Sequence, residues 1–181
     1  MDSHIASLIM EAMNAECCQN FAGPKHTLVD FHRMMTRLVE MEDSQYSYRN
    51  VLAAYTSGGI LAGICVAYDG GKLHQLRRRF YEAALEAFGI DYTGMTDETE
   101  DGEFYIDSLA VSSNFRGKGI ASQLLQATIE RGAELGIPTV GLLVDKGNPK
   151  AEALYQRLGF VYVNDSTWGG HPMRHLQYKH D

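Results

Sequence analysis

The chain contains no uninterrupted apolar run long enough to cross a bilayer, and no basic-then-apolar leader opens it. A cytoplasmic location and no membrane partner are therefore expected. Cysteine is scarce: there are three, two of them adjacent (Cys17, Cys18), and no CxxC pair occurs. That excludes a disulfide framework and a cysteine metal centre, and it fits a reducing compartment. Basic residues are outnumbered, 16 against 23 acidic ones, for a net charge of −7. Non-specific nucleic-acid binding needs a basic surface, so this balance argues against it. Long-range attraction would instead favour cationic small molecules or peptides. The phosphate-loop pattern GxxxxGK[ST] and the dinucleotide pattern GxGxxG are missing too, so ATP and dinucleotide readings lose weight. There is no internal repeat, low-complexity segment or linker, and 181 residues suffice for one domain over 1–181 with a real core.

What is present is concentrated in residues 103–125, EFYIDSLAVSSNFRGKGIASQLL. Phe104–Val111 is rich in apolar and β-branched residues and reads as a mostly buried strand. The loop that follows has no bulky side chain at Gly117, Gly119 or Ala121, so backbone N–H groups can wrap a ligand closely. The next helix opens with free N–H groups and its positive dipole end, flanked by Arg116 and Lys118. The guest such a loop suits is a di- or polyphosphate.

The rest of the chain is read around this unit. Residues 3–18 show helical spacing with Ser3 as N-cap, and Gly23-Pro24 ends that segment. Thr27 with Asp30 in a capping-box position starts a second helix. The Met-rich patch (Met10, Met13, Met34, Met35, Met41) is core filler or, in part, the lining of an acceptor pocket. Residues 46–55 and 60–68 read as a hairpin around Ser57-Gly58-Gly59. Residues 72–88 read as a helix whose Arg77, Arg78 and Arg79 form a solvated face, or contact a nucleotide 3′-phosphate or an acidic partner. Residues 91–103 form an acidic loop, mostly a solvated connector, that runs into the central strand and could overhang an acceptor mouth. Beyond the central helix, residues 139–144 form a short buried strand, which implies a parallel pair with a right-handed crossover. A helix over 149–158 and two short strands, Phe160–Val163 and Met173–Tyr178, complete the chain. His171 and His175 have an HxxxH spacing that on a strand separates the rings, so surface or pairing histidines are expected and no metal.

The stretch Arg116–Ala121 matches RxxGxA after a strand ending Leu-Ala-Val. Residues 148–160, NPKAEALYQRLGF, match a second motif, an Asn at a strand end, an Ala-x-x-Leu-Tyr helix and a closing Gly-Phe. In both the sequence resembles the GCN5-related N-acetyltransferase (GNAT) superfamily over residues 103–163, about a third of the chain. The resemblance implies an α/β (α+β) fold: a mixed, mostly antiparallel central sheet with a splayed parallel pair, flanked by helices on both faces. Relative to the shortest relatives, 72–102 looks like an inserted helix plus acidic loop. The family normally begins with a strand before its first helix, whereas here a helix starts within a few residues of Met1. That strand is expected to be absent or to lie upstream.

The resemblance also implies an acetyl-CoA-dependent N-acetyltransferase acting on a primary amine of a small molecule or peptide. The pyrophosphate would lie on Arg116, Gly117, Lys118, Gly119, Ile120, Ala121 and Ser122. The pantetheine would pair with Leu109, Ala110 and Val111 like an added strand, with Asn148 and Ala151 beside it. Tyr155 would face the thioester sulfur and protonate the departing thiolate, and a backbone N–H of the central strand would stabilise the oxyanion. The amine needs deprotonation, for which Glu103 and Asp107 are candidate bases sharing one face of a regular strand. Each is alternatively a structural carboxylate. No cysteine lies in either motif, so direct attack in a ternary complex is expected rather than an acyl-enzyme. The alternative is a catalytically silent acyl-CoA-binding or sensor module of the same fold. Relatives of this kind are often dimers, so a homodimer is possible on resemblance alone.

Overall fold

A computed structural model describes residues 1–180. Its frame is a six-stranded sheet in the order β1-β2-β3-β4-β6-β5. The strands are β1 (Val51–Tyr55), β2 (Leu61–Asp69), β3 (Glu103–Val111), β4 (Thr139–Asp145), β5 (Val161–Trp168) and β6 (His171–Lys179). Every neighbouring pair is antiparallel except β3 and β4, which are parallel. Among the described residues no strand precedes the first helix, and no helix is long and apolar enough to cross a membrane.

Helices cover both faces. On one lie α1 (Asp2–Met13), α2 (Ala15–Ala22), α3 (Leu28–Glu40) and α4 (Leu73–Phe88), and their apolar stripes close over Ile64, Val66 and Ala110. On the other, α5 (Ile120–Glu134) and α6 (Pro149–Arg157) pack on Phe104, Ile106, Val140 and Leu142. The capping box of α3 is formed: the Asp30 N–H donates to Thr27 Oγ1 and the Thr27 N–H to Asp30 Oδ2. Of the methionines, Met34 and Met35 are core, Met10 and Met41 pack against it, and Met13 lines a cavity.

Three sequence expectations need correction. Residues 3–18 are two helices, not one. The chain breaks at Asn14, the only non-glycine residue with positive φ (71°), among the described residues. Its side chain accepts the Cys17 N–H at 2.9 Å and so caps α2. A local hydrogen bond at the break competes with helix continuation. Secondly, the closing hairpin is longer than the short strands read from sequence, because β5 and β6 pair through Trp168↔His171 across Gly169 and Gly170. Both glycines have positive φ, as a tight two-residue turn requires. Thirdly, Arg77 is not on a solvated face. It is 1% exposed and donates to Glu98 Oε1 at 3.1 Å and to the Thr96 carbonyl at 3.2 Å. The 91–102 segment is thereby pinned to α4. Arg78 and Arg79 do remain on the outside, paired with Glu82 and, for Arg79, Asp43.

Candidate active site

Two irregularities in the sheet create the site. The β3–β4 ladder runs only from Glu103↔Thr139 to Ile106↔Leu142. Beyond it β3 pairs with β2 alone and β4 with β6 alone, so the two strands part and leave main-chain groups without a strand partner. At the same point β3 is bulged: Ile106 faces Ala67 and Ser108 faces Val66, leaving Asp107 unpaired. The extra residue puts Asp107 and Ser108 on one face together. Glu103, Tyr105 and Asp107 therefore share the face covered by α1–α4, as do Ser108 and Ala110 beyond the bulge.

A cavity of about 500 Å³ opens where the strands part. Its floor is Asp107, Ser108 and Leu109 of β3 with Leu143, Val144 and Asp145 of β4. One wall is α6 with its cap, through Asn148, Ala151 and Tyr155. Opposite it stand the broken end of α1 and α2, the Glu98 carboxyl from the acidic loop, and Trp168 from the last hairpin. The structure thus brings together Asp107, Leu109, Asn148, Ala151 and Tyr155 from widely separated parts of the chain.

Burial pushes the Tyr155 phenol up to about 12. Asn148 caps α6, its Oδ1 accepting the Ala151 N–H at 3.2 Å, with Pro149 in the first turn. The loop 116–119 leads from β3 into α5. Gly117 and Gly119 have φ of 76° and 80°, and a Cβ on either would meet nothing within 4 Å. The open space beside them and the absence of a side-chain cap on α5 leave a main-chain cradle that suits a pyrophosphate. Arg116 Nε donates to the Val111 carbonyl at 3.1 Å, tying the loop to the strand end. Lys118 lies over the Phe115 ring. Ala110, Val111 and residues 116–122 stand outside the cavity lining.

Asp107 is partly buried among neutral donors. The Tyr68 hydroxyl donates at 2.7 Å, the Ser108 hydroxyl at 3.0 Å and the Gln45 amide at 3.4 Å. Burial raises its pKa above the usual carboxylate range, and these donors pull it back only in part. Glu98 is pushed up to about 8, by burial first and by Asp107 next, with Arg77 opposing.

Glu103 is placed differently. It is 1% exposed, outside the cavity lining, and its carboxyl crosses the face of Gly141, where any Cβ would collide with it. His175 Nε2 and Gln177 Nε2 donate to Glu103 Oε2 at 2.6 and 2.7 Å. Both ring nitrogens of His175 face oxygens, the other being Asn164 Oδ1 at 3.2 Å, which favours the doubly protonated ring. The hydrogen bond to Glu103 accordingly raises the His175 pKa, against the effect of burial. His171 lies at the other end of β6, 3.9 Å from Asp145.

Sequence reading did not single out Glu98, Tyr46, Trp168 or Cys17 as pocket residues. The signal for Glu98 was a carboxylate run opposite an arginine run, but which pair would be buried depends on tertiary packing.

The sequence profile of the Acetyltransferase (GNAT) family matches residues 32–160, and the chain belongs to that family. Mycothiol acetyltransferase of Propionibacterium freudenreichii is 36% identical over 78 residues, covering 42% of this chain and 24% of that protein. A probable spermine N(1)-acetyltransferase of Bacillus subtilis subsp. natto is 27% identical over 94 residues, 50% of this chain and 62% of that protein. The chain thus spans less than two thirds of these relatives' lengths. A crystal structure of an acetyltransferase superposes with a TM-score of 0.82 at 26% identity, over 98% of this chain and 94% of that one.

Proposed function

We propose that the protein transfers an acetyl group from acetyl-CoA to a primary amine by direct attack in a ternary complex. The observation that carries this is the shared cavity at the strand splay, with Asp107 on one side and Tyr155 on the other. Residues 116–122 would hold the pyrophosphate, while the free edge of Leu109–Val111, Asn148 and Ala151 would hold the pantetheine. Asp107 takes a proton from the incoming ammonium, directly or through water, and passes it to solvent. The neutral nitrogen then bonds to the acetyl carbon, and the adduct's surplus N–H proton leaves to Asp107 or water as the carbon–sulfur bond breaks. Tyr155 gives its proton to the leaving thiolate and regains one from solvent. Glu103 has no part in this, being committed to His175 and Gln177.

The structure does bring one cysteine, Cys17, into the cavity. Burial raises its pKa, and the Glu98 and Asp107 charges raise it further. A thiol so disfavoured as thiolate is a poor acyl acceptor, which supports direct transfer over a covalent route. The same-fold sensor alternative leaves Asp107 and Tyr155 without a task.

The test is thiol release from acetyl-CoA with an amine panel, beside calorimetric titration of acetyl-CoA. Tyr155→Phe should lower kcat by roughly 100-fold with acetyl-CoA affinity kept. Acetyl-CoA binding without turnover of any amine would point to the sensor. Parallel double-reciprocal lines with a trapped acyl-cysteine would sink the ternary-complex route.

A further inference from the structure

The acetyltransferase reading leaves the acceptor open, and the charges around the cavity narrow it. Four carboxylates line the cavity, Glu16, Glu98, Asp107 and Asp145, and no lysine or arginine does, among the described residues. The one imidazole on the lining, His171, is largely exposed and stands 3.9 Å from Asp145. The nearest deep cation, Arg77, stands behind Glu98 at 1% exposure and is already committed to Glu98 and Thr96. An acceptor carboxylate would therefore be desolvated against like charges, with no lysine or arginine to meet it and the one lining imidazole already beside Asp145. Asp107 is partly buried with hydroxyl and amide donors alone in hydrogen-bonding reach, so it lacks a direct counter-charge that an ammonium would supply. Glu98 offers a second such point. Its Oε2 accepts only the Tyr105 hydroxyl at 3.1 Å, and it reaches the cavity from a loop that Arg77 fixes in place. Tyr46, Tyr92 and Tyr105 add π-faces, which attract cations and are indifferent to their identity, while the Trp168 ring already carries the Arg77 guanidinium, 5.8 Å from its centroid.

Resting on the transfer reading above, we propose that the acceptor is an amine carrying a second positive charge and no carboxylate. The reacting amine meets Asp107, and the second cation meets Glu98. Each cation favours the ionised carboxylate that burial by itself disfavours. Glu98 is thus a specificity residue supplied by the 91–102 segment. Amino acids are disfavoured because their carboxylate meets no lysine or arginine here and the lining imidazole of His171 already faces Asp145, and simple monoamines because they leave Glu98 unused.

The experiment compares kcat/KM, by thiol release from acetyl-CoA, for 1-aminobutane, 1,4-diaminobutane, spermidine and ornithine with the unaltered chain. A charge-assisted contact of ordinary strength corresponds to about ten-fold or more. The better of the two polyamines should exceed 1-aminobutane by that factor, and ornithine should fall below 1,4-diaminobutane by a similar one. Equal rates for 1-aminobutane, or ornithine matching the diamine, would overturn the inference and leave the transferase reading intact. Thiol release with none of the four while acetyl-CoA still binds would overturn both. Glu98→Gln should pull the polyamine-to-monoamine ratio towards one. An unchanged ratio in a variant that still binds acetyl-CoA would remove Glu98 from the role. Should that variant fail to fold, the four-amine comparison decides by itself.

Discussion

Replacing Asp107 by Asn should move activity and stability in opposite directions. The carboxylate is partly buried and meets no cation directly, only the Tyr68 and Ser108 hydroxyls and the Gln45 amide. Its pKa is raised by burial, so the native state holds its proton to higher pH than the unfolded chain does. Stability then falls as pH rises from the ordinary carboxylate value of about 3.9 through the native one, and remains lower above it. Each unit of that displacement is worth about 1.4 kcal/mol. Asn has nearly the same shape, accepts from Tyr68 through Oδ1 and can donate to Ser108 Oγ. It removes the buried charge without opening a cavity, so the variant should be as stable as the parent or about 1 kcal/mol more stable near neutral pH. The chemistry should suffer. An amine of pKa about 10.4 is neutral in roughly one molecule per few thousand at pH 7, and loss of a placed base costs about 100- to 10,000-fold. That corresponds to about 3–5 kcal/mol in the barrier. The assay is kcat/KM by thiol release beside a thermal melt on one preparation. A kcat/KM within about three-fold of the parent, or a clear loss of stability, would refute the reasoning.

Arg77→Met should strip Glu98 of its guanidinium and cost about 3–5 kcal/mol in denaturant unfolding, while Arg77→Met with Glu98→Gln should recover at least about 2 kcal/mol of that. The His175–Glu103 pair sets a pH dependence of its own. Because the His175 pKa is raised in the native state, its contribution is fully present below the unfolded value of about 6.5 and is lost as pH rises through the native value. The ionisation of Glu98 across the range from about 4.3 up to about 8 acts in the same direction. Urea midpoints should therefore fall between about pH 6 and about pH 8, and His175→Gln should flatten part of that slope. A midpoint that rises over this interval would contradict both assignments.

The parts of this molecule that could be read from sequence are those whose cause is local. The strand–glycine loop–helix unit and the Asn148-Pro149 helix start are specified by residues within a few positions of one another, and their boundaries fall within a residue or two of the expected ones. The break at Asn14 was hidden because the apolar spacing continues on both sides of it. The length of β5 was hidden for a different reason. Val161–Trp168 is largely exposed and lacks an apolar alternation, so only pairing with β6 makes it a strand. Arg77 illustrates the limit most sharply: three consecutive arginines look alike in sequence, yet the helix turns one to Glu98 and two to solvent. Glu103 and Asp107 were equivalent as candidate bases, and the bulge keeps them on one face as a regular strand would. What separates them is β4, which lies beside Glu103 and has already diverged at Asp107.

The bulge is the point at which fold and proposed chemistry meet, and its trace lies in the apolar phase of β3. Phe104 and Ile106 pack towards α5 and α6 with the two-residue period of a strand, but the next residue of the chain on that side is Leu109, not Ser108. Ala110 accordingly joins the core under α1 and α3. The phase slips by one residue between 106 and 109, and Asp107 occupies the slip. A regular β3 would turn Leu109 and Asp107 to one side and Ala110 to the other, exchanging two core positions. Burial of the flanking apolar residues therefore maintains the irregularity, and Asp107 with Ser108 is held at the splay by hydrophobic packing on both faces of the sheet. The β3 part of the cavity floor is thus fixed by one contiguous segment. The opposite side, which we assign to the acceptor, is assembled from side chains of the helix break, the acidic loop and the last hairpin. Acceptor choice can therefore change through those three elements without disturbing β3, its bulge or the glycine loop.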